Sequence, residues 1–219
     1  GTLSENLTLA ASLPVAGLHV DLVRGKAQLD DVLAACKGTD KFLSLGVVDG
    51  RNVWKTDLTK ALDMLNHAAT AYGAEKILVS PSCSLLHSPI DLAHETKLDD
   101  ELKSWLAFAK QKLEEVALLK NALNGKKDDR AFALNEAALA NRETSLRIHN
   151  PAVKTRIKAL TPAMADRASA FPVRIKKQET ALGLPLLPTT TIGSFPQTQE
   201  VRAMRAKFKK GELTEAQYD

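Results

Sequence analysis

Four short stretches of the sequence place polar or nucleophilic side chains directly after a run of apolar or β-branched residues. The apolar runs are "GLHVDLV" (17–23), "KFLSLGVV" (41–48) and "EKILVSPSC" (75–83), and the β-branched run is 189–192. In parallel α/β folds, functional groups gather just past the C-terminal ends of strands. The candidates at these ends are Asp21 and Arg24; Asp49, Arg51 and Asn52; Ser80, Ser82, Cys83, Ser84 and His87; and Gly193 and Ser194.

These candidates differ in the chemistry that they permit. Asp21 and Cys83 can change charge or ligate a metal, whereas Arg51 can only bind an anion because it does not deprotonate. Each also has a purely structural interpretation. Asp21 would bond backbone amides at a strand end. Asp49 and Arg51 would either form an ion pair across a turn or simply supply the turn residues. Cys83 would be a small buried apolar residue. His19, His67, His94 and His149 show no partner spacing, and His87 would cap the segment that follows it.

The Gly193–Ser194 pair is the more specific signal. Glycine lets the backbone approach a ligand closely, and consecutive amides in such a turn form a nest that binds anions. A helix N-terminus behind the turn adds partial positive charge, so the loop suits a carboxylate or a phosphate. The alternative is an ordinary turn between a strand and a helix, with glycine required only by its geometry.

Helix-length segments separate the apolar runs. They are 29–36, 53–73, with Leu58, Leu62 and Leu65 at helical spacing, and 98–125. Strands that alternate with helices predict a parallel sheet, with each strand apolar on both faces. The opening "LSENLTLAASL" reads as a further helix. Three strands are too few to close a barrel, which needs about eight.

Residues 98–124 are predicted to form one long helix that covers the sheet. Its apolar stripe would run through Leu98, Leu102, Trp105, Ala109, Leu113, Val116 and Lys120. Thr96 and Asp99 resemble a capping box, and Gly125 is a plausible C-terminal stop. Two further segments follow. "HNPAVKTRIKALTP" predicts a helix capped by Asn150, and "FPVRIKKQETALGLPLLP" reads as a linker because prolines bound it.

Composition narrows the protein class. The chain has 219 residues, 44% of them hydrophobic, and a net charge of +4 from interspersed bases and acids, which does not indicate a nucleic-acid partner. The basic residues within 126–177 lack interleaved aromatic residues, so a solvated helical face is the stronger interpretation. No apolar run approaches a membrane span, and no signal peptide is evident. A soluble cytoplasmic protein with reduced cysteines is expected.

Several long motifs resemble cobalamin-independent methionine synthases. "LPTTTIGSFPQTQEVRAMRAKFKKGELT" is similar to the start of that family's C-terminal barrel. "GLHVDLVRGK", "LSLGVVDGRNVWKTDL" and the segment from "SCSLLHSPIDL" to "ELKSWLAFA" resemble the last third of its N-terminal barrel, and "HNPAVKTRIKAL" its interdomain segment. The resemblance runs in order along essentially the whole chain.

The resemblance implies an α/β chain that is an internal fragment of two (β/α)8 TIM barrels. Residues 1–125 would hold the last three strands of the first barrel and their helices, 126–186 a helical interdomain segment, and 187–219 the first strand, loop and helix of the second, catalytic barrel. The reaction would transfer a methyl group from 5-methyltetrahydropteroyltri-L-glutamate to L-homocysteine. A zinc ion would hold the homocysteine thiolate, and its ligands and the catalytic residue would lie outside this chain.

The resemblance also assigns residues. Ile192, Gly193 and Ser194 match the family's homocysteine-binding motif. Asp21, Arg51 and Cys83 occupy positions where the second barrel has a zinc-binding Glu, a catalytic His and a zinc-binding Cys, so they would form a vestigial first-barrel site. The parent enzyme is expected to be a monomer, and the fragment to self-associate or to pair with the rest of the enzyme. The alternative is that the chain is only a structural, interdomain module.

Overall fold

A computed structural model describes residues 1–189, 193 and 197–218. The described chain forms two compact units, Gly1–Thr155 and Arg156–Asp219. The sheet lies in the first unit and has three parallel strands in the order β1 (Gly17–Asp21), β2 (Phe42–Val48) and β3 (Ile77–Pro81). The prediction of adjacent parallel strands is therefore confirmed. Of the strand predicted at 189–192, residues 190–192 lie outside the described residues.

The helices of the first unit follow the strands. They are α1 (Leu7–Ser12), α2 (Leu29–Cys36), α3 (Leu58–Tyr72), α4 (Asp100–Trp105), α5 (Ala109–Leu123) and α6 (Asp129–Thr144). Helix α7 (Pro151–Lys158) spans the division between the units, and its N-terminal amides bond to the side chain of Asn150, as predicted. The second unit contains α8 (Phe171–Leu182), α9 (Gln199–Lys209) and α10 (Glu215–Tyr218).

The core lies on one face of the sheet. Leu43, Leu45 and Val47 of β2 point to this face, and α3 packs with them through the buried side chains of Leu58 and Leu65. The sequence predicted strands that are apolar on both faces, and for the opposite face this prediction is wrong. That face carries a polar side chain from each strand, namely His19, Ser44 and Ser80, and Phe42 and Leu78 are 45% and 51% exposed there.

The predicted long helix 98–124 is wrong, because the chain leaves the helix between α4 and α5. Trp105 O accepts a hydrogen bond from Lys55 N at 2.9 Å, and Ala107 N donates to Val53 O at 2.8 Å. These backbone hydrogen bonds to the segment after β2 replace the helical hydrogen bonds that a continuous helix would make. The replacement is favourable because the backbone groups of both segments are then hydrogen-bonded. Two independent helices result.

The break also moves the buried face of the second helix. Lys112, Glu115 and Leu119 of α5 are buried, whereas the predicted stripe residue Leu113 is 57% exposed. The N-cap of α4 is Asp99, whose carboxylate accepts from Leu102 N, so the predicted cap at Thr96 is also wrong. The stop at Gly125 is confirmed: its φ is +76°, and Gly125 N and Lys126 N bond to Ala122 O and Asn121 O.

The predicted linker at 171–188 is helical over most of its length. Pro172 lies in the first turn of α8, where its missing N–H leaves no hydrogen bond unmade, and Gly183 ends the helix at φ +57°. The prolines mark the ends of this helix rather than an irregular segment. Within the described residues, no helix combines the length and the apolar character needed to cross a membrane.

Candidate functional site

The turns that follow the three strands meet at the C-terminal edge of the sheet. Arg24, after β1, contacts the Asp49 carboxylate, after β2, at 3.7 Å. Asp49 also accepts hydrogen bonds from Arg51 N and from the Asn52 side chain, both at 2.8 Å. Asp49 therefore forms its own turn and pairs with Arg24, so the ion pair that the sequence suggested with Arg51 is replaced by a backbone hydrogen bond. The Arg51 residue is exposed.

Asp21, at the end of β1, uses one carboxylate oxygen to hold the turn that follows. Its Oδ1 accepts hydrogen bonds from the amides of Val23 and Arg24 at 3.0 Å each. Burial alone would raise the pKa of Asp21, and the hydrogen bonds from the amides of Arg24 and Val23 act in the opposite direction. The structural interpretation of this residue, a carboxylate that bonds backbone amides, describes what is found.

Cys83 lies in the turn after β3 and packs against the turn after β2. A Cβ atom on Gly50 would lie 2.9 Å from its Sγ and 2.7 Å from its carbonyl oxygen, so only glycine fits there. Gly50 N donates to Ser82 Oγ at 3.2 Å, and Ser82 N donates to Val48 O at 2.7 Å. Cys83 itself is half-buried.

The three predicted first-barrel residues are thus on neighbouring turns but do not form one constellation. Among the described residues, no hydrogen bond or ion pair joins Asp21, Arg51 and Cys83 to one another. In the same part of the chain, no three His, Cys, Asp or Glu side chains are grouped so that they would hold a metal ion. Zinc therefore does not fit the described residues.

Lys112 of α5 donates hydrogen bonds to the turn after β2. The sequence did not indicate this role for Lys112. Its side chain is fully buried, and Nζ donates to Asn52 Oδ1 at 3.1 Å and to Trp54 O at 3.0 Å. Burial lowers the pKa of Lys112, and the nearby carboxylates of Glu115 and Asp49 oppose that change. In "KQKLEE" this lysine reads as part of a solvated face, because the helix break that rotates it inward depends on distant contacts.

Glu115 and Asn135 fix the next residues of the same segment. Glu115 Oε1 accepts from Thr56 N at 2.9 Å, while Asn135 of α6 donates to Thr56 O at 2.9 Å and accepts from Leu58 N at 3.2 Å. Both side chains are buried. Burial raises the pKa of Glu115, against the opposing influence of the hydrogen bond from the Thr56 amide and of the charges of Lys112 and Lys55. Buried polar groups of α5 and α6 therefore position residues 52–58.

A further polar cluster crosses the exposed face of the sheet, and of its members the sequence had indicated only Ser80 and Ser82. His19 Nδ1 lies 2.9 Å from Ser44 Oγ, Ser44 Oγ lies 2.9 Å from Ser80 Oγ, and His19 Nε2 lies 3.1 Å from Ser82 O. The signal in the sequence was a serine within each of two apolar runs, "FLSLG" and "ILVSP".

The predicted substrate loop is described only at Gly193, and its neighbours Ile192 and Ser194 lie outside the described residues. Gly193 has φ +82°, a conformation that other residues rarely adopt. Helix α9 begins six residues later, at Gln199, and Thr198 caps it by accepting from Val201 N.

Comparison with known proteins places both ends of the chain in one family. The family model described as "Cobalamin-independent synthase, N-terminal domain" matches residues 1–73, and the model described as "Cobalamin-independent synthase, Catalytic domain" matches residues 187–219. The chain belongs to the cobalamin-independent methionine synthase family.

Individual members of this family are close in sequence. A protein named 5-methyltetrahydropteroyltriglutamate–homocysteine methyltransferase from Burkholderia mallei (strain SAVP1) is 56% identical over 217 residues, which is 98% of this chain and 28% of the relative. The protein of the same name from Flavobacterium johnsoniae is 54% identical over 222 residues, 98% of this chain and 29% of the relative. The chain therefore spans less than a third of the length of these relatives.

Proposed function

We propose that this chain is part of a methyltransferase that moves the methyl group of 5-methyltetrahydropteroyltri-L-glutamate to L-homocysteine and so forms methionine. The identity of 54–56% with proteins of that name, along 98% of the chain, carries this proposal. The three-stranded sheet would belong to a (β/α)8 barrel, and residues 187–219 would open a second, catalytic barrel. The enzyme would be cytoplasmic and monomeric.

Within this enzyme, Ile192, Gly193 and Ser194 would bind the amino-acid end of homocysteine. Two observations support the proposal: the catalytic-domain match begins at residue 187, and Gly193 has a positive φ, the left-handed conformation that a backbone anion nest uses. A carboxylate needs hydrogen-bond donors, and consecutive amides followed by a helix N-terminus provide them. When bound, zinc would supply a stabilised homocysteine thiolate, with ligands from sequence outside this chain.

The loop assignment is tested in the full-length enzyme with Gly193→Val. Valine cannot adopt the positive φ of Gly193 without strain, so the backbone amides should move away from the substrate carboxylate. Loss of one charge-assisted hydrogen bond should raise the KM for homocysteine by roughly ten- to a hundredfold, with bound zinc unchanged. Gly211→Val is the matched control, since Gly211 also has a positive φ, +75°, but lies after α9. An unchanged KM in Gly193→Val, or an equal rise in both variants, would contradict the assignment.

The second candidate is that the 219-residue chain by itself is only a structural and interdomain module, which self-associates or pairs with the rest of the enzyme. The half-exposed Phe42 and Leu78 on one face of its sheet favour such pairing. The isolated chain should form no methionine from the two substrates and should bind zinc no better than an unrelated protein with two cysteines. Tight stoichiometric zinc binding that is lost in Cys83→Ser would show that the first-barrel residues form a metal site.

A further inference from the structure

The imidazole of His19 reaches across a whole strand. His19 lies on β1 in register with Ser44 of β2, yet its Nε2 is 3.1 Å from the carbonyl oxygen of Ser82, which follows β3. Its other nitrogen, Nδ1, is 2.9 Å from Ser44 Oγ. One side chain therefore joins β1 to β2 and to the turn that begins after β3.

Gly46 makes this crossing possible. A Cβ atom at Gly46 would lie 3.1 Å from His19 Cε1 and 2.6 Å from Ser82 Cα. Any larger residue would push both the ring and the Ser82 backbone away from β2. The glycine in "SLGVV" thus leaves the space through which the ring passes and into which the turn after β3 fits.

The hydrogen bonds fix which nitrogen carries the proton. A carbonyl oxygen only accepts, so His19 Nε2 must donate to Ser82 O. In the neutral ring Nδ1 is then an acceptor. Ser44 Oγ donates to Ser80 Oγ, so the Ser80 hydroxyl, 3.4 Å from Nδ1, is the donor available to the ring.

The hydrogen bond from His19 Nε2 reaches the turn after β3 at Ser82, the residue directly before Cys83. The Ser82 N–H donates to Val48 O and its Oγ accepts from Gly50 N, so β2 holds it from one side. His19 holds its carbonyl from β1. We propose that His19 is a positioning residue, which crosses β2 above Gly46 and fixes the orientation of the Cys83 turn at the C-terminal edge of the sheet. The proposal does not depend on methyl transfer.

The test compares two substitutions that each keep one half of the contact. In His19→Gln the side-chain amide nitrogen can take the place of Nε2 and still donate to Ser82 O, whereas His19→Asn reaches only Ser44. Labelling of Cys83 with iodoacetamide, followed by peptide mass spectrometry, should be roughly five- to tenfold faster in His19→Asn and near the wild-type rate in His19→Gln. Equal rates in the two variants would overturn the proposal.

Internal controls separate a local effect from unfolding. Cys36 is fully buried, so its labelling should stay slow in His19→Asn if only the turn is released. His67→Asn removes a histidine of α3 that contacts Asp30 and should leave Cys83 labelling unchanged. Parallel acceleration at Cys36 and Cys83 would count against the proposal.

A spectroscopic measurement needs no substitution. Nitrogen-15 chemical shifts of the His19 ring in the neutral state should show the proton on Nε2. A ring with its proton on Nδ1 cannot donate to Ser82 O and would overturn the proposal directly.

Discussion

The two units of this chain differ in what their helices contact. In Gly1–Thr155, each of α2, α3, α5 and α6 buries several side chains, including charged and amide groups. In Arg156–Asp219, α8 has Pro172 in its first turn and ends at Gly183, and α9 begins at the Thr198 cap, yet none of the described residues there is buried. Local signals are therefore sufficient to place a helix, while its stability is set by whether another surface covers it.

The largest contrast is expected from one substitution in each unit. Leu65 of α3 is fully buried in the core, whereas Leu186 is 96% exposed. Leu65→Ala should lower the free energy of unfolding by about 3 kcal/mol through lost burial and a residual cavity, and Leu186→Ala should change it by less than about 0.5 kcal/mol. Urea titration followed by circular dichroism measures both. A comparable loss in Leu186→Ala would mean that the second unit is buried in solution.

A polar helix contact gives the next largest effect. Asn135→Ala leaves Thr56 O and Leu58 N without their buried partner and should lower the free energy of unfolding by about 2 kcal/mol. Hydrogen exchange should accelerate along α6. The control is Gln178→Ala on α8, where the side chain is exposed and no loss is expected. If the two variants behave alike, the amide of Asn135 does not hold α6.

The buried carboxylate predicts a dependence on pH. Burial raises the pKa of Glu115 in the folded state, so the folded protein binds this proton more tightly than the unfolded chain does. The free energy of unfolding should therefore fall as the pH rises through the raised pKa of Glu115 and the carboxyl group ionises. It should recover as the pH falls and the group is protonated. Glu115→Gln removes the titration and keeps an acceptor for Thr56 N. Its stability relative to wild type should rise between pH 4 and pH 7, with Glu179→Gln on the exposed α8 as control. A flat difference would contradict the predicted shift.

The smallest effect is expected at an exposed ion pair. Hydrogen bonds from Arg147 and from the Leu102 amide lower the pKa of Asp99 to about 2. Its stabilising contribution is present above the usual carboxyl pKa and is lost as the pH falls towards 2. Arg147→Met should raise the pKa of Asp99 towards its ordinary value, measured by carbon-13 titration of the carboxyl group. Because the pair is exposed, added salt should weaken the shift in the wild type.

The sequence predicted those parts of the fold that depend on local pattern. The three parallel strands, α2, α3 and the stop at Gly125 all follow from apolar runs, helical spacing and capping residues. The break between α4 and α5 was not predictable in this way, because it arises from backbone pairing of Trp105 and Ala107 with Lys55 and Val53, about fifty residues earlier. That break hides Lys112 and Glu115 in the core.

The candidate site divides in the same manner. Strand-end logic found Asp21, Asp49 and Cys83, but not which of them would be occupied by backbone amides. His19 was set aside because its partners, Ser44 and Ser82, are distant in sequence and meet it only through strand register. The homocysteine-loop assignment of Ile192, Gly193 and Ser194 remains a prediction.

Both tryptophans of this chain rest against α6. The guanidinium of Arg142 lies 3.7 Å from the centre of the Trp54 ring, and the indole N–H of Trp105 donates to Asn141 Oδ1 at 2.7 Å. Intrinsic fluorescence is therefore an optical report on this one helix rather than on the whole molecule. If α6 detaches before the sheet unfolds, emission will change at a lower denaturant concentration than the far-ultraviolet signal, with no added label.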